Sequence, residues 1–227
     1  MSFSMLDKIK NELNNNADFI CREINNAYGT VFLFFLKSMT DKNEIAWQII
    51  EPISKIKTEF NFNDLFKKIL YASEVEEIKL EQCVECILQN KIVLFYQNRL
   101  LSIDLEKFPT RTPSEPPTSP NINGPREGFV ESIKTNITLI RKRLPTPNLV
   151  IEDFVVGEET KSKVSVMYLK NIANKKVVKD ITQKISKIKI KELLILITLL
   201  NFWKKGQNLC LNKLDIKKNQ ILWLPKC

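Results

Sequence analysis

Residues 108–125 read FPTRTPSEPPTSPNINGP, and this stretch holds six of the ten prolines in the 227-residue chain. Proline fixes φ and has no amide hydrogen to donate, so neither a helix interior nor a central strand can run through it. An extended connector is the conformation that remains. The chain must therefore build its apolar cores on either side of residues 106–125.

Upstream, helix and strand signals alternate. MLDKIKNEL sets Leu6, Ile9 and Leu13 at helical spacing, while DFICREI and TVFLFFLK are short apolar or alternating runs that suit strands. Asp41 and Glu44 have capping-box spacing ahead of IAWQIIEPI, a helix that would pack through Ile45 and Ile49. NDLFKKILY and EIKLEQCVECILQN read as two further helices. KIVLFYQNRLLSIDL reads as a hairpin, because Gln97-Asn98 favours a turn between two apolar runs. Residues 1–105 are thus expected to form an N-terminal α/β subdomain.

Downstream, Phe129, Ile133, Ile137, Ile140 and Leu144 recur every three or four residues and give one apolar helical stripe, with Glu131, Lys134, Thr138 and Arg141 elsewhere on the helix. Pro145 and Pro147 end it. NLVIEDFVVG and KVSVMYLKN read as strands joined by a turn at residues 157–162. VVKDITQKISKI reads as a helix with Val178, Ile181, Ile185 and Ile188 inward, and KIKI begins like a strand. Residues 126–190 form the second subdomain. The fold class expected is α/β, two small mixed α/β subdomains joined by a proline-rich linker.

Composition removes several function classes. The chain has no histidine, so it lacks the usual general base near neutral pH and the commonest metal ligand. No catalytic residue, metal site or cofactor is assigned, and the chain is not expected to be an enzyme. Cys83 and Cys86 have CxxC spacing, but no second pair follows, and both read as small thiols packed on a helix. The net charge of +9 is uneven: from Lys187 onward nine lysines face only Glu192 and Asp215, a net of +7, which leaves +2 for residues 1–186. That near-neutral span argues against nucleic acid as a partner. The start MSFSMLDKIKNELNNN has no cleavable apolar core, and LLILITLLNFW at 193–203 is too short to span a bilayer.

The string GPREGFVESIKTNITLIRKRL at 124–144, together with PNLVIEDFVVGEETKSKVSVMYLKNIANKKVV, DFICREI, VFLFFLKSMTDKNEIAWQIIEPI, ILQNKIVLFYQNRLLSIDL and FPTR, resembles the A subunit of GerA-type spore germinant receptors from about Asp18 to Ile188. The residues that carry the motif are Gly124, Pro125, Arg126, Glu127, Gly128, Phe129, Glu131, Asn136, Arg141 and Arg143. The resemblance implies the cytoplasmic N-terminal region of a subunit whose membrane bundle lies in the inner spore membrane. It also implies transporter-like B and lipoprotein C subunits as partners, self-association, and a role in receptor assembly and nutrient-triggered germination signalling. Many family members carry a basic residue where Asn123 stands before the Gly124-Pro125 turn, so a role for charge at that point is not carried over.

After about residue 191 the resemblance fades. Back-translated one position out of frame, LDIKKNQILWLPKC can be spelled GHKEKPDIVAAKM, a family-like string, so residues 191–227 read as an out-of-frame tail following loss of one base near Lys191. The chain would then be a truncated product without the membrane domain, cytoplasmic or peripheral to the membrane. The competing reading is an evolved tail with KIKIKELLILITLLNFWKK as an interfacial anchor.

Two smaller readings complete the expectations. Arg141-Lys142-Arg143 at the helix end would offset the helix dipole, by about 0.3–1 kcal/mol per cation, or else meet acidic headgroups. A cleft between the two subdomains is the place where a small-ligand module would bind.

Overall fold

The computed structural model describes residues 2–13, 16–70, 74–105, 129–130, 132–159, 161–187 and 220–223. The connector 106–125, residues 126–128, the KIKI segment after Lys187 and most of the tail lie outside these residues. The chain divides into two units, Met1–Thr110 with Arg141–Pro147, and Arg111–Ile140 with Asn148–Cys227.

The first unit is built on a five-stranded antiparallel sheet in the order β1-β2-β4-β5-β3. Its strands are β1 (Phe19–Asn26), β2 (Gly29–Leu36), β3 (Glu74–Ile78), β4 (Ile92–Tyr96) and β5 (Arg99–Asp104). The apolar runs that looked continuous in the sequence are explained by cover on both faces. In β2, Val31, Leu33 and Phe35 join one core cluster while Phe34 and Leu36 join the other. Successive strand side chains alternate between faces, so a strand covered on both sides has no polar positions to spare.

One face is covered by α1 (Ser2–Leu13) and α5 (Leu80–Leu88), through Leu6, Ile9, Leu13, Cys83 and Ile87. The other is covered by a helical run made of α2 (Lys42–Ile45), a π-helical turn (Ala46–Ile50) and α3 (Glu51–Ser54), and by α4 (Phe62–Asp64) with a second π-helical turn (Leu65–Ile69). Ile45, Ile49, Ile53, Phe62 and Leu65 are the buried residues of those helices. Asp41 caps α2 by accepting the Asn43 amide, and Asn61 and Asp64 form a reciprocal capping box on α4.

The β4–β5 hairpin turns at Gln97 and Asn98, whose φ angles are 48° and 61°. Two successive left-handed residues are the geometry of a type I′ turn, which matches the twist of the strands it joins. One expectation fails here: Glu77 and Ile78 were read into the helix that holds the cysteines. They belong instead to β3, an edge strand pairing Val75 with Ile103 and Ile78 with Leu100. Partner strand β5 supplies the apolar contacts, and Glu74, Glu76 and Glu77 stay exposed, as suits an edge.

The second unit has β6 (Leu149–Val156) antiparallel to β7 (Ser162–Leu169), and α7 (Lys175–Ser186) packs Ile181 and Ile185 on Val156, Val164 and Val166. The β6–β7 connection includes Gly157 at φ 89°, a left-handed position that favours glycine. Val178, Ile181 and Ile185 point inward along α7, and Ile188 lies outside the described residues. Residues 220–223 of the tail pair as β8 (Gln220–Trp223), parallel to β7.

The helix of the 124–144 string, α6 (Ile133–Arg143), starts later than the apolar stripe suggests. Phe129 precedes it and is 36% exposed, while Ile137 is buried. α6 contributes to both units, Ile140 to the second and Arg141 to the first.

Candidate functional site

Arg141 is the largest fully buried side chain among the described residues, with none of its surface exposed. Of the triplet expected to offset the helix dipole or meet acidic headgroups, Arg141 is therefore out of reach of any headgroup, while Lys142 and Arg143 are exposed. Arg141 Nε lies 3.5 Å from Asp18 Oδ2, and its Nη1 donates to the Thr146 carbonyl at 3.2 Å, which ties the guanidinium to the chain just past α6. Asp18 is itself organised by its neighbours: the Ser38 amide donates to Oδ1 and the Ser38 hydroxyl to Oδ2, both at 2.7 Å. The Lys37 amide donates to the Asp18 carbonyl, so the acid is clamped between the entry of β1 and the exit of β2.

Burial pushes the Arg141 pKa down, and the negative charge of Asp18 works against that shift. A guanidinium starts so far above neutrality that it stays protonated. The pair is therefore a true ion pair held away from water. Such a pair adds little net stability over an apolar substitute but is costly to break from one side. Its chemistry is positional: both groups are already engaged with each other and with Ser38 and the Thr146 carbonyl.

A second motif residue works the same way inside the other unit. Asn136 is 1% exposed; its Oδ1 accepts the Val130 amide at 2.8 Å and its Nδ2 donates to the Val130 carbonyl at 2.7 Å. One side chain thus satisfies both backbone groups of a residue ahead of the helix, where no ladder partner exists.

One concavity that could take a ligand lies in the first unit, between α1 and the β1-β2-β4 part of the sheet. It measures about 520 Å³ and is lined by Asp7, Lys10, Glu23, Phe32 and Phe95 among others. The Lys10 ammonium stands 6.0 Å from the centre of the Phe32 ring. Charges of both signs over an aromatic floor make it amphoteric. For metals, the described residues gather no group of His, Cys, Asp and Glu side chains. Cys83 is buried in α5, and desolvation pushes its thiol up to about 12, so it is neutral and unreactive. No helix among the described residues is long and apolar enough to cross a membrane.

The family model described as Bacillus/Clostridium GerA spore germination protein matches residues 7–211. The chain belongs to this GerA family. Spore germination protein XA of Bacillus anthracis is 31% identical over 71% of this chain and 34% of its own length. Spore germination protein KA of Bacillus subtilis strain 168 is 28% identical over 82% of this chain and 36% of its own. The chain thus spans about a third of the length of these curated GerA relatives. A crystal structure of the N-terminal domain of the A subunit of the Bacillus megaterium spore germinant receptor GerK3 has the same fold, with a TM-score of 0.59, covering 91% of this chain and 80% of that one at 20% identity.

Within the GerA motif read from the sequence, the structure describes Phe129, Asn136, Arg141 and Arg143; Gly124, Pro125, Arg126, Glu127, Gly128 and Glu131 lie outside the described residues. Asn136 and Arg141 are buried, whereas Arg143 is exposed. Asp18 and Ser38, which complete the Arg141 cluster, were not singled out in the sequence. The signal for Arg141 was present: it follows Ile137 by four residues, one helical turn, and so borders the inward face. The GerA match extends past both ends of the span that the motifs covered, including residues 192–211 of the tail.

Proposed function

We propose that this chain acts as the N-terminal region of a spore germinant receptor A subunit, contributing to receptor assembly and to the nutrient-triggered germination signal. The observation that carries the reading is the family match over residues 7–211, supported by the shared fold with an A-subunit N-terminal domain. The partners that follow are the B and C subunits and further A subunits, and the location is the inner spore membrane. The two buried polar clusters suit such a role, since they fix backbone geometry and expose no reactive group. No catalytic step is assigned to any residue. The organisation proposed remains two α/β subdomains with residues 106–125 as the connector.

The test is a chimera in which residues 1–187 replace the matching segment of a full-length relative. Retained co-purification with the B and C subunits, and germination in response to the relative's nutrients, are the expected results. Stable accumulation of the chimera without B and C subunits attached would overturn the proposal.

A second reading is a small-ligand module, expected from the sequence in a cleft between the subdomains and given a different site here by the amphoteric groove beside Lys10 and Phe32 within the first unit. A thermal shift with millimolar amino acids that disappears in Lys10→Ala supports it, and no shift with any of them removes it.

A further inference from the structure

We propose that the outer face of α7 and the turn before it dock this chain on an anionic lipid surface. The inward side of α7 is used up by Val178, Ile181 and Ile185, so what the helix offers outward is set by the remaining positions. The exposed ones include Lys175, Lys176 and Lys179, beside Asp180, Gln183 and Ser186, and Lys187 at the C-cap is also exposed. Asp180 is the lone acid of α7 and is taken by Lys184 at 2.7 Å. Lys175 and Lys176 occupy the first turn, which carries no acidic residue, so they add charge where the peptide dipoles are already positive. Folding therefore concentrates cations on this face, and among the described residues Lys175, Lys176 and Lys179 make no ion pair.

The turn that leads into α7 supplies the second component. Ile172 is 46% exposed there, between exposed Lys170 and Lys175. An isolated aliphatic tip gains nothing from a phosphate backbone. It does gain from the boundary between headgroups and acyl chains, and lysines around it gain from acidic headgroups. Cations together with one apolar tip match an anionic bilayer better than a nucleic acid or an acidic peptide. The docking surface shares no residue with the Arg141 cluster and does not depend on the receptor reading, since it rests on α7 and the turn before it.

The experiment is sedimentation of the full chain with vesicles of mixed phosphatidylglycerol and phosphatidylcholine, against vesicles of phosphatidylcholine alone. Binding to the mixed vesicles only, weakened by salt, is expected. Lys175→Glu/Lys176→Glu/Lys179→Glu should lower partitioning by well over tenfold, at roughly fivefold per lysine. Ile172→Ser should lower it further while the far-UV spectrum and melting curve stay those of the parent. If the triple variant sediments as the parent does, the lysine-rich tail carries the binding and the assignment to α7 is wrong. If Ile172→Ser has no effect and a short DNA duplex strips the protein from the vesicles, the face is a general polyanion surface and the lipid assignment fails.

Discussion

Arg141 Nε sits 3.5 Å from Asp18 Oδ2, with side-chain exposures of 0% and 3%, so the last turn of α6 is tied to the entry of β1 by a dry ion pair. Removing the cation leaves a buried carboxylate with Ser38 as the only partner of its side-chain oxygens among the described residues. Arg141→Met should cost about 3–5 kcal/mol, read as a fall in the denaturant midpoint. Asp18→Asn on top of Arg141→Met should restore part of that loss, because the amide keeps an acceptor for Ser38 without the charge. A double variant no more stable than the single one would show that the charge is not what the site pays to hold.

Asn136 bridges both backbone groups of Val130, and an alanine there leaves a donor and an acceptor without their protein partner. Asn136→Ala should destabilise by about 1–3 kcal/mol. Amide exchange at Val130 should rise more than exchange within β6, and equal acceleration at both places would argue for a general loss of fold.

The type I′ turn makes Asn98 a sensitive position, since its φ of 61° is open to glycine and asparagine but strained for a β-branched side chain. Asn98→Gly should be neutral or slightly stabilising, and Asn98→Val should cost about 1–3 kcal/mol by thermal melting.

Cys83 gives the chain a pH response on the alkaline side. Its folded thiol is pushed up to about 12 from an ordinary value of 9.0, so between these values the unfolded chain has released a proton that the folded chain still holds. Stability conferred by the buried neutral thiol is complete below pH 9.0 and declines as pH rises toward 12. Cys83→Ala should flatten that part of the stability curve. Alkylation at pH 8 should label half-buried Cys86 well before Cys83, with labelling of both resolved by peptide mass spectrometry.

Local pattern was enough for most of the elements. Leu6, Ile9 and Leu13 on α1, the Gln97-Asn98 hairpin, and Val178, Ile181 and Ile185 on α7 are all set by interactions within a few residues, which periodicity and turn chemistry report directly. Edge strand β3 was not legible, because Glu74–Ile78 is helix-compatible by itself and becomes a strand only when β5 presents its free edge. Whether Trp47, at 53% exposure, covers anything was equally beyond the sequence, since its helix buries Ile45, Ile49 and Ile53 instead.

The sequence by itself determined the proline break, the class of fold and the family, because proline geometry, apolar period and motif are all properties of neighbours along the chain. Only the tertiary structure decided what Arg141 does. In sequence it is the first of three cations at a helix end, alike in charge and in reach. Asp18, more distant in sequence than any local rule can see, separates it from the other two by offering a buried counter-charge at the one place where the helix turns it inward.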